Sequence, residues 1–591
     1  QNNVITLNKT YANTFGIYSN TNHTAAAPTV GAAITNISGA NSGNKFYGNT
    51  VSNINMGICI VGSQNINFMD SGNDVGGSSS ATGNTINNWG GLAQISNYFS
   101  SSGSCYGIHL DNQKGDNVSY NTITSAVVTG TAVSIRGIFK DYNNSPTGAF
   151  TSGITHNTIT VQYAYTGGTT FDGILTQGIT TANNTATFNI TDNILLNTTI
   201  NAASSPTFIG IFNKSIVGVL NINNNIIRGT TSASTTGSFT GISNSVAVTT
   251  TLNINNNKIG DGSGAAINFS AANNQALTGI SVSSVAPAAN LSISGNNFQG
   301  IVHAVTGSTV FNYISYIHSA STGVIDNISN NTFTNLVANT TGDVIFIKRA
   351  GTMVGATENC DGNQVVGTLS KTGFPGTVTL YSASGASLLG NTMVQTENDF
   401  SNITLTGTTI MAGWLNTEGV AATTGPAKTI SNNIFDNWVC GSGNVTVINS
   451  NNGNDNTTIS GNSITDISGD GNITAILVGT TNKGTTQTCS GNTISTITST
   501  GGTVLGISGG AIGITTFSVN NNNINTLSTS GATQAEAIKI TAAATINLQK
   551  NKIYGINAQN ATCIAFGIDI ATSNTGATYN IVNNIVGNIT A

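Results

Sequence analysis

His109, Asp111, Lys114, Asp116, Arg136, Lys140 and Asp141 gather in one stretch of a chain in which only 6% of 591 residues are charged. Carboxylates beside a histidine and lysines are the residue types of acid–base chemistry. Two short runs, Gly107-Ile108-His109-Leu110 and Gly137-Ile138-Phe139, occupy equivalent places in neighbouring repeats. Aligning them on Ile108 and Ile138 puts Asp111 and Asp141 in one column, three residues after each isoleucine, with Gln177 and Lys214 continuing it. If the runs are adjacent strands, the two carboxyls stand about 4.8 Å apart. Carboxyls near 5 Å suit a retaining glycosidase and a wider gap suits inversion, and close carboxyls split their pKa values. Asp111 and Asp141, with Lys140 and His109, are therefore the catalytic candidates. Asp111, Asp116 and Asp141 are the alternative oxygen set for Ca²⁺, although no dedicated calcium-loop signature is present. The plainer reading of the stretch is a polar edge where charges happen to fall.

Other candidates are thinner. Asp70 and Asp74 lie in a Gly/Ser-rich loop. Lys348-Arg349 is the one basic pair, read as a solvated edge. His303 and His318 lack an acidic or cysteine partner that would complete a metal set. Trp89, Trp414 and Trp438 are scattered, whereas a carbohydrate platform wants several aromatics on one face. No phosphate-binding or dinucleotide pattern occurs with its required flanking elements.

The elements that must position these residues repeat. Asn-x-Ile/Phe/Val recurs about every 30–40 residues, the signature of a repeat architecture. It begins at Asn84, Asn121, Asn157, Asn224, Asn257, Asn296, Asn331, Asn462, Asn492, Asn522 and Asn551. Between these phrases come short β-rich runs opened by Gly-Ile, and alternating runs such as Leu220-Asn-Ile-Asn and Leu252-Asn-Ile-Asn. Each repeat thus carries three short strands alternating apolar and polar at period 2. Tight hairpins would call for Asn-Gly turns, yet Asn452-Gly453 is the one such dipeptide. Parallel coils stacked on one another need none. Stacked asparagines offer donors and an acceptor to the next coil, forming a ladder that satisfies buried polar groups. Asparagine and glycine also tolerate the left-handed backbone of coil corners.

The Asn-x-Ile phrase followed by Gly-Ile resembles the right-handed parallel β-helix repeat of the pectin-lyase-like superfold, over roughly residues 16–587. The resemblance implies an all-β solenoid of about seventeen coils. Residues 1–50 are expected to form an N-terminal cap and first coil. Residues 51–591 would be a continuous helix, loop-decorated to about residue 440, for example at 62–82, 140–153 and 262–276, and regular thereafter. That superfold includes polysaccharide lyases and hydrolases, which cluster acids and bases on one face of consecutive coils. The overall style is also similar to repeat-rich surface proteins of Bacteroidota.

Composition narrows the classes. A net charge of −5 and a pI near 5.4 give no electrostatic case for nucleic acid or an anionic membrane, and no apolar run approaches the roughly 20 residues of a membrane span. Gln1 in place of Met suggests a removed signal peptide, hence secretion to the cell exterior. Six cysteines do not make a disulfide scaffold; Cys59 and Cys105, in neighbouring repeats, are the candidate bridge. Asn583-Asn584-Ile585-Val586 is a full repeat phrase close to Ala591, so the C-terminal end is expected to lack a cap and to meet further protein, a second copy or another surface protein. The sequence therefore leaves two functions: a non-catalytic structural or adhesive protein (a stalk, filament or surface-layer component), or a lyase or hydrolase of polysaccharide working at Asp111/Asp141. No cofactor is called for beyond the Ca²⁺ alternative.

Overall fold

The computed structural model describes all residues except 9–13, 22–33, 93–103, 129–133, 164–169, 201–205, 263–266, 386–389, 418–425, 451–455, 480–484, 532 and 572–574. Of the expected loop 262–276, residues 263–266 thus lie outside the described residues. The chain divides into two compact units, Gln1–Val305 and Thr306–Ala591. Both are all-β parallel solenoids in which every coil contributes a strand to each of three parallel sheets. Among the described residues the one helical element is a single 3-10 turn, Ile37–Gly39, and no helix is long and apolar enough to cross a membrane. The described part of residues 1–50 already supplies strands, Val4–Thr6, Phe15–Asn20 and Lys45–Phe46.

One sheet is built from the Gly-Ile runs. In the first unit its register stacks Ile17, Ile58, Ile108, Ile138, Ile174, Ile211, Ile242 and Ile280 in one column. In the second unit the same place is held by Ile314, Ile347, Tyr381, Trp414, Ile448, Ile476, Ile507, Ile538 and Ile568. In the first unit a glycine precedes every isoleucine of this column, and it has a steric cause. A Cβ on Gly137 would stand 2.5 Å from the carbonyl oxygen of Gly173, and one on Gly173 would stand 2.5 Å from that of Gly210. In these coils only glycine permits so close an approach; in the second unit the same place holds residues such as Tyr313, Phe346 and Leu380.

The Asn phrases open the second sheet, and their side chains form a ladder. In the first unit it runs Asn3, Asn49, Asn84, Asn121, Asn157, Asn193, Asn225, Asn257, Asn296, each Nδ2 donating to the next Oδ1 at 2.8–3.0 Å. In the second it runs Asn331, Asn363, Asn398, Asn433, Asn462, Asn492, Asn522, Asn551, Asn584 at the same 2.8–3.0 Å. Each backbone N–H donates to that same oxygen, as Asn157 does to Asn193 at 3.0 Å. Most Nδ2 groups also reach a carbonyl of the third sheet, as Asn157 does to Val118 at 2.9 Å. From Asn433 to Asn551 the rungs are 29 or 30 residues apart, against 32 to 46 in the first unit.

Asn224 requires a correction. The rung is Asn225; Asn224 is the residue before it, exposed and left-handed at φ 58°. Period 2 explains the slip: Ile227 points inward and is buried, so the phrase reads Asn225-Ile226-Ile227, and a shift by one would turn every side chain to the other face. The corner residue before every rung but Asn84 is left-handed, whether Asn256, Asn330, Gly461 or Asn521.

The cysteine expectation is also overturned. Cys59 pairs in register with His109, and Cys105 with Ile135. Four residues of strand, about 13 Å, separate the two, too far for a disulfide. None of the six cysteines forms a disulfide, and burial pushes the thiols of Cys440 and Cys489 up to about 12.

Candidate functional site

Ser104–Asp111 and Ser134–Asp141 are adjacent parallel strands of the Gly-Ile sheet, and Asp111 pairs in register with Asp141 as the alignment on isoleucine expects. Their surroundings are closed. Asp111 is 3% exposed, Asp141 5%, Lys140 1% and His109 2%. Both oxygens of Asp111 accept from Asn143 Nδ2, at 3.1 and 3.0 Å. Asp141 Oδ1 accepts from the backbone N–H of Tyr142 at 2.9 Å. Lys140 Nζ bonds Asp116 and donates to the Gln113 carbonyl at 2.8 Å. Asp116 also accepts from Ser152 at 2.7 Å, and Tyr142 closes the set by donating to the Gln113 carbonyl at 2.6 Å.

His109 packs against Tyr106 and Phe139 with ring centroids at 4.7 and 4.8 Å, and those two rings are 5.2 Å from each other. Burial and the guanidinium of Arg136 push it down to about 3, so it is a neutral stacking ring rather than a proton carrier at physiological pH. Arg136 sits 4.4 Å over the Phe139 ring and reaches Asp172 at 3.5 Å. Burial, opposed by that guanidinium, brings Asp172 up to about 6.

Burial, then the neighbouring Asp141, hold Asp111 well above the usual carboxylate range. A carboxyl with a raised folded-state pKa favours folding while protonated. That stability is fully present below the unfolded value of about 4 and is lost as pH rises through the folded value. Asp111→Asn is therefore expected to raise the melting temperature at pH 7 to 8 and to flatten the loss of stability from pH 5 upward. Thermal melts across that range check it; an unchanged or lower melting temperature at pH 8 would contradict it.

The Ca²⁺ alternative is not supported by the arrangement. Asp116 is consumed by Lys140 and Ser152, away from Asp111 on Asn143, and no group of three Asp, Glu, His or Cys side chains able to hold a metal ion occurs among the described residues. Asp70 and Asp74 organise loops: Asp70 accepts from Thr21 at 2.8 Å and from the N–H of Asn41, and Asp74 from Asn117 and the N–H of Gly77. Trp89, Trp414 and Trp438 are all core residues.

Lys348-Arg349 is no solvated pair. Arg349 is buried and pairs with Glu358 at 2.9 Å, whose other oxygen accepts from Tyr381 at 2.5 Å. His318 is buried against Asp326 at 2.8 Å, and Asp326 and Glu358 are register partners in the third sheet. His303, in the other unit, packs beside Phe269 at 5.8 Å. Sequence reasoning missed this polar core of the second unit. Its signal was available: Asp326 and Glu358 occupy the inward places of the alternating run that Leu220, Leu252 and Leu291 hold elsewhere.

An open groove of about 870 Å³ lies beside the Asp111 strand end. Turns following three strands of the Gly-Ile sheet line it: Gln64 to Ile66, Asn143 to Gly148, and Thr180 to Asn184. The turns are stapled to one another. Asn144 Nδ2 donates to the Gln64 carbonyl at 2.9 Å, Ser145 Oγ accepts the N–H groups of Thr180 and Thr181 at 3.0 Å, and Asn183 Nδ2 donates to the Pro146 carbonyl at 2.8 Å.

No protein-family model and no curated protein matches this sequence. Among solved structures, a mutant of a PL6 family alginate lyase is similar over 92% of this chain and 93% of its own, at 10% identity and a TM-score of 0.17, a level that says nothing about activity.

Proposed function

We propose that this chain is a non-catalytic structural or adhesive β-helix of the cell exterior, serving as a stalk, filament or surface-layer component. The observation that carries the reading is the closure of the Asp111/Asp141 column. Each candidate acid or base is buried and engaged by a neighbour of the same chain, so none faces a place where a substrate atom can sit. General acid–base catalysis needs the group within hydrogen-bond reach of the proton it moves. The weakly charged surface supports the same reading, since it suits packing against other uncharged surfaces. In the coil of Thr578–Val582 and Ile585–Thr590, Ile581 and Val582 are about half exposed and Ile585 is 66% exposed. Through these strands we propose contact with a second copy or another surface protein.

The test is incubation of the protein with neutral and acidic polysaccharides, scored for new reducing ends and unsaturated sugars, alongside electron microscopy of its assemblies. The expected result is no product. Product release that Asp111→Ala or Asp141→Ala abolishes, with the fold retained, would establish the hydrolase or lyase alternative instead.

A further inference from the structure

We propose that the groove between the turns at 64–66, 143–148 and 180–184 binds a neutral oligosaccharide. The inference rests on the adhesive reading and names its ligand. The chemistry of the lining carries it. Among the described residues no charged side chain borders the groove, and six side-chain amides do: Gln64, Asn65, Asn143, Asn144, Asn183 and Asn184. An amide offers donors and an acceptor together, which matches sugar hydroxyls that also donate and accept. Ile66, Pro146 and Ala182 add apolar surface for the C–H face of a ring. The volume of about 870 Å³ falls within the range of ligand sites, roughly 300–1,000 Å³, and has room for more than one ring.

The walls are set before any ligand arrives. Asn143 is held by the Asp111 carboxylate and by Asn112 Oδ1, which accepts its N–H at 3.0 Å. Asn144, Ser145 and Asn183 are occupied by the staples between turns. The half-buried Gln64 and the exposed Asn184 belong to different turns of the lining, and no side-chain hydrogen bond engages either amide among the described residues. Such preorganisation lowers the ordering cost of binding.

The same geometry selects against uronates. An acidic sugar needs a cation, and the lining has none among the described residues; behind Asn143 lies Asp111, while Lys140 is buried on Asp116. Nucleic acid is disfavoured for the same reason. This separates the groove from any acidic-polysaccharide site.

The experiment is titration calorimetry of the 591-residue protein with neutral gluco-, manno- and galacto-oligosaccharides and, in parallel, with oligouronates. Saturable binding of a neutral series is expected. Gln64→Ala and Asn184→Ala should each weaken it about five- to tenfold, the loss of one or two neutral hydrogen bonds, and should leave the melting temperature unchanged. No binding of any neutral series, binding indifferent to both substitutions, or equal binding of uronates would overturn the proposal. Sugar cleavage accompanying binding would instead overturn the non-catalytic reading and leave the groove assignment standing.

Discussion

Asp116→Ala is expected to lower the stability of the first unit by about 3–5 kcal/mol, because it leaves the Lys140 ammonium buried without its anion. The ammonium is 1% exposed and the carboxylate fully enclosed. Burial already pushes the Lys140 ammonium down, and Asp116 is the chief group opposing that. The other close neighbours of Lys140, the Gln113 carbonyl and the ring of Tyr142 at 4.9 Å, carry no full charge, and Asp111 adds a smaller attraction. Removing both members is different: Asp116→Ala with Lys140→Met replaces a buried pair by apolar groups and is expected to recover most of the loss. Denaturant midpoints, with hydrogen exchange followed over residues 104–141, measure both. A single variant as stable as the parent would show that the pair is wet rather than buried.

Asn225→Ala and Asn224→Ala should differ sharply although the residues are neighbours. Asn225 Oδ1 accepts both the N–H and the Nδ2 of Asn193, each at 3.0 Å, and its own Nδ2 donates to Ile190 O at 2.8 Å and Asn257 Oδ1 at 3.0 Å. Truncation leaves several buried groups unpaired at about 1–3 kcal/mol each, so a loss of roughly 3–5 kcal/mol is expected after relaxation. Asn224 has an exposed side chain, and what it supplies is tolerance of a left-handed φ, so alanine there should cost about 1 kcal/mol. Paired melts of the two variants decide the matter; equal losses would contradict the one-residue reassignment of the rung.

Much of the fold was legible because a solenoid writes its contacts into the sequence as a period. Ile108 and Ile138 stack because each coil repeats the last, so the alignment that joined them also placed Asp111 beside Asp141. The ladder was legible for the same reason, and the phrase extends to further rungs. Asn193-Ile-Leu, Asn363-Gln-Val, Asn398-Asp-Phe and Asn433-Ile-Phe carry the same asparagine-plus-two pattern. Asn224 failed where two asparagines adjoin, since only the inward turn of Ile227 settles which of them is the rung.

The candidate site was legible in position and not in state. The sequence by itself determined the parallel coils, the asparagine and glycine columns and the meeting of Asp111 with Asp141, because each depends on spacing along one repeating chain. Only the tertiary structure decided that Asn143 closes over Asp111, that Lys140 turns in to Asp116, that Arg349 is buried on Glu358, and that turns from three coils enclose a neutral groove. The physical reason is that burial and pairing depend on turns of unequal length, such as 142–149, folding back over neighbouring coils. No repeat period records where such a turn comes to rest.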